Sequence, residues 1–424
     1  MMNNRKVLMV TSSSLNSNYG GGQVYFRNLV YELIRQDHSP IIVIPDSGQS
    51  NIGVYLGCEV VYVKLPISKI SAIKILNEVK PDLVHIHGFK AIFAQASREL
   101  KIPCITTVHH GGILCPAGAL LTYRDEICRI KANPKDCFPC VLKNIRGGIY
   151  AWPFLKILPL EIRLKIGIVM RKLPFILYLT PVLQASSSIQ QKEDEWKAII
   201  ENVSLIIAPS DAIAKSLIIN GATAERIKVL PHGIPLPKHA DATEILTSNE
   251  VTRFFYIGRI CHIKGVHVML KAFNTLKMRT ELHLIGGAGN KIEERYMNRL
   301  KKKYKNDHRI QWHGKINSQD ILDTIRKYDV MIHPTICLEV FGLNIAEALA
   351  MGKPVISTRS GGPEMQIVNC ENGILVNPNN ANEIKEAINK IVHNEINLNP
   401  YKKKVVSIKE HVKDLLRIYE ETTN

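Results

Sequence analysis

Short apolar runs alternate with stretches of helical spacing along almost all of the 424 residues. Runs such as Val7-Leu8-Met9-Val10 and Val330-Met331-Ile332-His333 are apolar nearly throughout, as in strands buried on both faces. In the first half the pattern predicts strands over Lys6 to Thr11, Ser39 to Ile44, Glu59 to Val63, Asp82 to His85, Cys104 to His109 and Val203 to Ala208. In the second half it predicts them over Arg253 to Tyr256, Glu281 to Ile285, Ile310 to Trp312, Val330 to His333 and Pro354 to Ser357. Helical patterns lie between, such as Val24, Phe26, Leu29, Val30 and Leu33 after the first strand. Strand and helix in alternation predict an α/β protein with parallel sheets, and two such sets predict two facing Rossmann-like domains.

A chain this long exceeds one ordinary core. The domain boundary is predicted at Pro231-His232-Gly233-Ile234-Pro235-Leu236-Pro237 and the polar stretch after it, a semi-rigid connector. The domains are then 1–237 and 251–405, with a terminal helix in 406–424. Its apolar spacing over Ser407 to Tyr419 suits packing back on the first domain. Residues from about 115 to 185 break the alternation and read as an insertion in the first domain.

Composition narrows the class. Apolar residues at 46% and charged residues at 22% are the mix of a globular protein. The net charge of +17 should attract anions: nucleic acid, anionic lipid or phosphorylated substrates. Nine cysteines in so long a chain do not make a disulfide scaffold, and a reducing, cytoplasmic compartment is expected. The first apolar run is too short for a signal peptide.

Glycines gather where strands end. Tyr19-Gly20-Gly21-Gly22-Gln23 follows the first strand and opens a helix, where backbone N–H groups can meet a phosphate; a plain tight turn is the alternative. The sequence is not G-x-G-x-x-G, so a nicotinamide cofactor is not indicated. Histidines close two strands, at Val84-His85-Ile86-His87-Gly88 and Val108-His109-His110-Gly111-Gly112. Ligands in open α/β sheets bind beyond the carboxyl ends of strands, so His109 can hydrogen-bond or deprotonate a hydroxyl there. Polar capping of buried strand ends is the alternative. Cys115, Cys128, Cys137 and Cys140 form C-x12-C-x8-C-x2-C, which suits either a structural zinc or iron–sulfur cluster, or four reduced thiols that simply pack. The run Leu158 to Leu183 mixes apolar residues with Arg163, Lys165, Arg171 and Lys172. It suits an anionic membrane surface or a buried helical pair, and Pro174 and Pro181 argue against a spanning helix.

In the second half, Ile257-Gly258-Arg259-Ile260-Cys261-His262-Ile263-Lys264-Gly265 follows a strand. The arginine fork and a lysine beside glycines suit a diphosphate. Gly286-Gly287-Ala288-Gly289 lines the same edge. The richest segment runs from Pro334 through Glu339, Phe341, Gly342, Leu343 and Glu347 to Gly352. A helix is predicted over Asn344 to Ala350. Were Glu339 and Glu347 on one helix they would sit about 12 Å apart along its axis, beyond the ~5–9.5 Å of a paired-carboxylate glycosidase. Two hydroxyl grips on a long ligand fit better.

These motifs, taken in order with Pro231-His232-Gly233-Ile234 and Gly361-Gly362-Pro363-Glu364, resemble retaining glycosyltransferases of the GT-B fold, family four. The resemblance covers nearly the whole chain. It implies an acceptor-side first domain and a second domain that binds a nucleotide-sugar donor. It implies that Arg259 and Lys264 bind the donor diphosphate. It also implies that Glu339 and the loop Phe341-Gly342-Leu343 hold the donor sugar, that Glu347 binds the ribose, that His109 approaches the transferred sugar, and that Gly21 and Gly22 meet the donor phosphate or acceptor. His110 and His262 depart from the usual pattern, leaving donor identity open. The acceptor would be a polysaccharide, a lipid-linked or another glycan, met in the cytoplasm or at the inner face of the membrane. No Asp-x-Asp triplet occurs, so no catalytic metal is expected. Two competing classes are a sugar-nucleotide epimerase and a non-enzymatic anion binder. Nucleic acid is not expected as a partner: the charge is dispersed, aromatics are 6%, and no binding module is recognisable.

Overall fold

In the computed structural model the described residues are 5–13, 20–46, 53–55, 57–145, 148–171, 180–237 and 251–423. The polar linker predicted after Pro237, residues 172–179 of the basic apolar run, and 14–19 of the first glycine loop lie outside them. Two compact units result: residues 1–14, 33–229 and 416–424 in one, 15–32 and 230–415 in the other.

The first unit is built on an eight-stranded sheet. Its strands are β1 (Val7–Val10), β2 (Ile41–Pro45), β3 (Gly53–Tyr55), β4 (Cys58–Val63), β5 (Leu83–Ile86), β6 (Cys104–Thr107), β7 (Leu205–Ala208) and β8 (Ile227–Val229), in the order β3-β4-β2-β1-β5-β6-β7-β8. All pairings are parallel save β3 with β4, and Leu8 sits between Ile41 and Val84. The two short edge strands β3 and β8 are additions to the sequence reading. Each has only three residues, too few for a periodic signal.

Helices follow the strands: α1 (Gly21–Arg35), whose residues up to Glu32 group with the second unit, α2 (Lys69–Val79) and α3 (Lys90–Glu99). Between β6 and β7 lies the segment that breaks the alternation, with α4 (Phe138–Lys143), α5 (Gly148–Leu155), α6 (Leu160–Arg171) and α7 (Thr180–Asn202). Its last helix runs well past 185 and completes the β6–β7 crossover. α6 lies along α7: a Cβ on Gly167 would meet Ser187 Oγ at 2.6 Å, and Gln184 donates to Met170 O at 2.9 Å. Among the described residues no helix is long and apolar enough to cross a membrane. α8 (Asp211–Ile219) follows β7, its N-terminus capped by Ser210, whose hydroxyl accepts from Ile213 N–H.

The second unit carries six parallel strands: β9 (Thr252–Ile257), β10 (Thr280–Ile285), β11 (Ile310–Gly314), β12 (Val330–His333), β13 (Val355–Thr358) and β14 (Gly373–Val376), in the order β11-β10-β9-β12-β13-β14. Phe254 is registered between Leu282 and Val330, so the strand that delivers the predicted phosphate loop is central. The helices are α9 (Val266–Phe273), α10 (Lys291–Lys303), α11 (Ile321–Arg326), α12 (Leu343–Ala350), α13 (Gly362–Gln366), α14 (Ala381–Val392) and the terminal α15 (Ile408–Thr423). The core of this unit includes Phe255, Met331, Ile345, Leu349 and Val355, all nearly or fully buried. β14 was missed because Gly373-Ile374-Leu375-Val376 follows a turn-rich stretch that reads as loop. α15 belongs to both units, with Leu415 and Leu416 on either side of the division. In the first unit its Tyr419 hydroxyl bonds His85 Nδ1 at 2.7 Å; in the second, His411 Nδ1 bonds Pro231 O at 2.8 Å.

Candidate functional site

Two loops meet at the carboxyl ends of β9 and β12. The first, Gly258 to Gly265, can turn where it does only because of glycine. Gly265 has φ +67°, and a Cβ there would lie 1.9 Å from Pro334 O. Gly286, at the end of β10, has φ +138°, and a Cβ there would lie 1.8 Å from Gly258 O. The second loop, Pro334 to Gly342, is fastened on both sides. Ile336 N–H donates to Ile263 O at 3.0 Å, Glu339 N–H to Ser360 O at 2.7 Å, and Gly362 N–H to Glu339 O at 2.9 Å.

This fastening brings together two of the predicted residues and one that was not predicted. The Lys264 ammonium donates to Glu339 Oε2, and His333 Nε2 lies 3.6 Å from the same oxygen. Burial alone would raise the Glu339 carboxyl, but the adjacent Lys264 charge outweighs it and holds the carboxyl below its ordinary range. Burial would likewise lower Lys264, and Glu339 holds it raised. Burial pushes His333 down to about 4, so its ring is neutral. The Ser357 hydroxyl lies 3.1 Å from His333 Nδ1 and donates to His333 O at 3.2 Å, anchoring the ring, while Lys264 supplies the positive charge beside Glu339. In the sequence the signal for His333 was its place as the last residue of an apolar strand, directly before Pro334.

Arg259 lies on the first loop, its Nη1 3.5 Å from Glu293 Oε1 on α10. The other Glu293 oxygen accepts from Gly289 N–H at 2.7 Å, tying the glycine turn to that helix. Tyr256 donates its hydroxyl to Arg259 O at 2.6 Å, and Ile260 N–H donates to Gly287 O at 2.9 Å. Gly287 also lines an open cavity of about 480 Å³ with Trp312, Lys301 and Lys315 among its walls. Neither Glu293 nor Tyr256 was named from the sequence. Each lies outside the motif whose conformation it fixes.

α12 starts at Leu343, one residue before the prediction, and its N-terminus has no side-chain cap. Gly342 there has φ +91°. Asn344 donates to Ile257 O at 2.8 Å, pinning this helix end to β9, and Gln366 donates to Phe341 O at 2.6 Å. The Phe341 ring is buried with Ile234, Ala346 and Ala350, so what this loop offers a ligand is its backbone. Glu347 sits one turn in; burial pushes its carboxyl up to about 7. α1 begins at Gly21, where a Cβ would lie 3.5 Å from Leu343 Cδ1; Gly22 is the next helical residue.

In the first unit the strand-end histidines divide. His85 is fully buried and bonded on both ring nitrogens, to the Tyr419 hydroxyl and at 2.8 Å to Thr107 Oγ1, so it is a structural cap. His109 Nε2 bonds His87 Nδ1 at 2.7 Å with the rings stacked, and His109 is partly exposed. The four cysteines are also in this unit. A hairpin, closed by Cys128 N–H to Leu120 O at 2.9 Å and tied to α4 by Lys143 with Asp125 at 2.7 Å, gathers Cys115, Cys128, Cys137 and Cys140. Burial, with the other three thiols near by, pushes Cys137 up to about 12. Among the described residues no three Cys, His, Asp or Glu side chains are placed to hold a metal ion.

Two parallel-sheet α/β units, the second with cationic loops at the ends of its central strands, define the GT-B class of glycosyltransferase folds. Solved structures share it. The Anabaena HepE protein in complex with UDP and glucose matches with TM-score 0.66 and 15% identity over 98% of this chain and 100% of that one. The sucrose-phosphate synthase of Thermosynechococcus elongatus matches with TM-score 0.62 and 16% identity over 99% and 96%. The family model for glycosyl transferases group 1 matches residues 240–409, and that for Glycosyltransferase Family 4 matches residues 19–129. Both matched models describe glycosyltransferases. The D-inositol 3-phosphate glycosyltransferase of Xylanimonas cellulosilytica is 29% identical over 192 residues, 40% of this chain and 46% of that protein. The matched stretch thus spans about half of that relative's length.

Proposed function

We propose that this protein transfers a glycosyl group from a nucleoside-diphosphate sugar to a hydroxyl of a glycan or lipid-linked acceptor, with retention of configuration. The observation that carries the reading is the pairing of Lys264 with Glu339 and of Arg259 with Glu293 at the carboxyl end of β9. Each cation has a carboxylate partner that a diphosphate can replace. Lys264 and Arg259 would take the diphosphate, the open N-terminus of α12 would add its dipole, and Glu339, once released from Lys264, would accept hydroxyls of the sugar. Glu347 would accept from the ribose. The acceptor oxygen bonds the anomeric carbon on the face the phosphate leaves; the sugar–phosphate bond breaks, and the acceptor proton passes to the departing phosphate oxygen. The leaving charge is met by side chains and backbone dipoles, and the sequence has no Asp-x-Asp to chelate a metal for the purpose.

The UDP and glucose bound by the HepE protein, and the naming of the relatives as glycosyltransferases, support a nucleotide-sugar donor. The test is incubation with UDP-, GDP- and ADP-sugars, with and without an oligosaccharide acceptor, in the presence of a chelator. Release of nucleoside diphosphate is expected for one base, quickened by acceptor. Turnover that needs added magnesium would contradict the mechanism. Isomerised donor in the absence of acceptor would establish an epimerase instead.

A further inference from the structure

Helix α5 is apolar on two sides, and α6 continues the outer one. The inner side of α5 sets Ala151, Trp152 and Leu155 against a small core around Phe138, Leu142 and Val182, with the Trp152 and Phe138 rings 5.5 Å apart. On α6 the inner side is Arg163, its guanidinium 4.5 Å from the Phe138 ring centre, and the close-packed Gly167. The opposite sides are in solvent. Tyr150 is 81% exposed, Phe154 74% and Ile157, just past α5, 76%, and Ile162, Ile168 and Val169 continue the surface along α6. A helix that has already buried one apolar stripe gains nothing for folding from a second.

The charges say what covers that surface. Lys156 and Lys165 stand exposed beside it, and Glu161 is the only acid between Gly148 and Arg171. Bulky apolar side chains flanked by lysines, with almost no negative charge, complement the boundary between anionic headgroups and acyl chains. We propose that α5 and α6 form a membrane-docking face that lies in the plane of an anionic bilayer. The face lies wholly in the first unit and does not depend on the donor chemistry, so the two readings fail separately.

The test is sedimentation of the full chain with vesicles of phosphatidylglycerol and phosphatidylcholine, against phosphatidylcholine alone. Wild-type protein is expected to pellet with the anionic vesicles and to be released as salt is raised. The double variant Phe154→Glu, Ile157→Glu is expected to bind at least about tenfold more weakly, and Lys156→Gln or Lys165→Gln about fivefold. Circular dichroism and donor turnover should be unchanged, since these side chains touch neither the core nor the donor loops. Equal partition of wild type and the double variant would overturn the proposal. So would a wild-type dimer that ignores vesicles and becomes monomeric on Phe154→Glu, which would assign the face to a second copy of the chain.

Discussion

Lys264 and Glu339, 75 residues apart in sequence, form an ion pair where the loops after β9 and β12 meet. The pair stores the two charges beside each other, ready for a ligand that is anionic at one end and hydroxylated at the other. Lys264→Ala should lower kcat/KM by about 10²–10³-fold, the usual cost of removing one donor aimed at developing charge. Glu339→Gln should lower kcat more than it raises the donor KM, because the sugar is gripped most firmly as its bond breaks. Steady-state kinetics with the natural donor decides it. Variants within about threefold of wild type would remove both residues from the reaction.

Arg259 and Glu293 give a prediction of opposite sign. Glu293 competes with the diphosphate for the guanidinium, so Glu293→Gln should lower the donor KM severalfold while its amide oxygen can still accept from Gly289 N–H. Arg259→Ala should raise the donor KM about tenfold or more. A rise in KM on Glu293→Gln would mean that the carboxylate serves the donor directly.

With the proposed ribose-binding role, Glu347 would tie donor binding to pH. Its carboxyl is raised from 4.5 to about 7 by burial, so the folded state favours the neutral form. That contribution to stability is complete below about pH 4.5 and is lost as pH rises through 7. Glu347→Gln, neutral at every pH, should therefore be more stable than wild type at pH 8 by on the order of 1–2 kcal/mol, the gap closing toward pH 4.5. Donor affinity should move the other way, improving in wild type as pH passes 7, because an ionised carboxylate can accept from both ribose hydroxyls. Melting curves and calorimetric titration at pH 5, 7 and 8 measure both.

The gathered cysteines should be slow to react. Burial raises the Cys128, Cys137 and Cys140 thiols, whereas Cys370 is exposed. In iodoacetamide at pH 7.5, mass spectrometry should find Cys370 alkylated first, and Cys137 only after Cys128 and Cys140. Rapid labelling of Cys137 in folded protein would show a thiolate held by something other than this burial, and elemental analysis of the same sample would then identify a metal.

Much of this was legible in the sequence because the strands are fully buried and the loops are glycine-rich. An apolar run such as Val330 to His333 can be little but a central strand, and the glycines around Arg259 and Lys264 announce a tight strand-end loop. Legibility fails where the partner is remote. Nothing near Glu293 in the sequence connects it with Arg259, and Ser357, which anchors the His333 ring, belongs to another strand. Phe341 looked like a ligand contact because it sits inside the motif, yet its ring fills the core. The exposed side of α5 was hidden for a similar reason: periodicity reports that a helix is apolar all round, and only packing tells which side is covered.

The proposed function requires Arg259 and Lys264 to bind the diphosphate of a sugar nucleotide. Isothermal titration of a panel of UDP-, GDP- and ADP-sugars into wild type and into the double variant Arg259→Ala, Lys264→Ala tests this most directly. At least one donor should bind wild type, and the double variant, with an unchanged melting temperature, should bind it about a hundredfold more weakly or not at all. Equal affinity in the two proteins, or no binding of any donor by wild type, would contradict it.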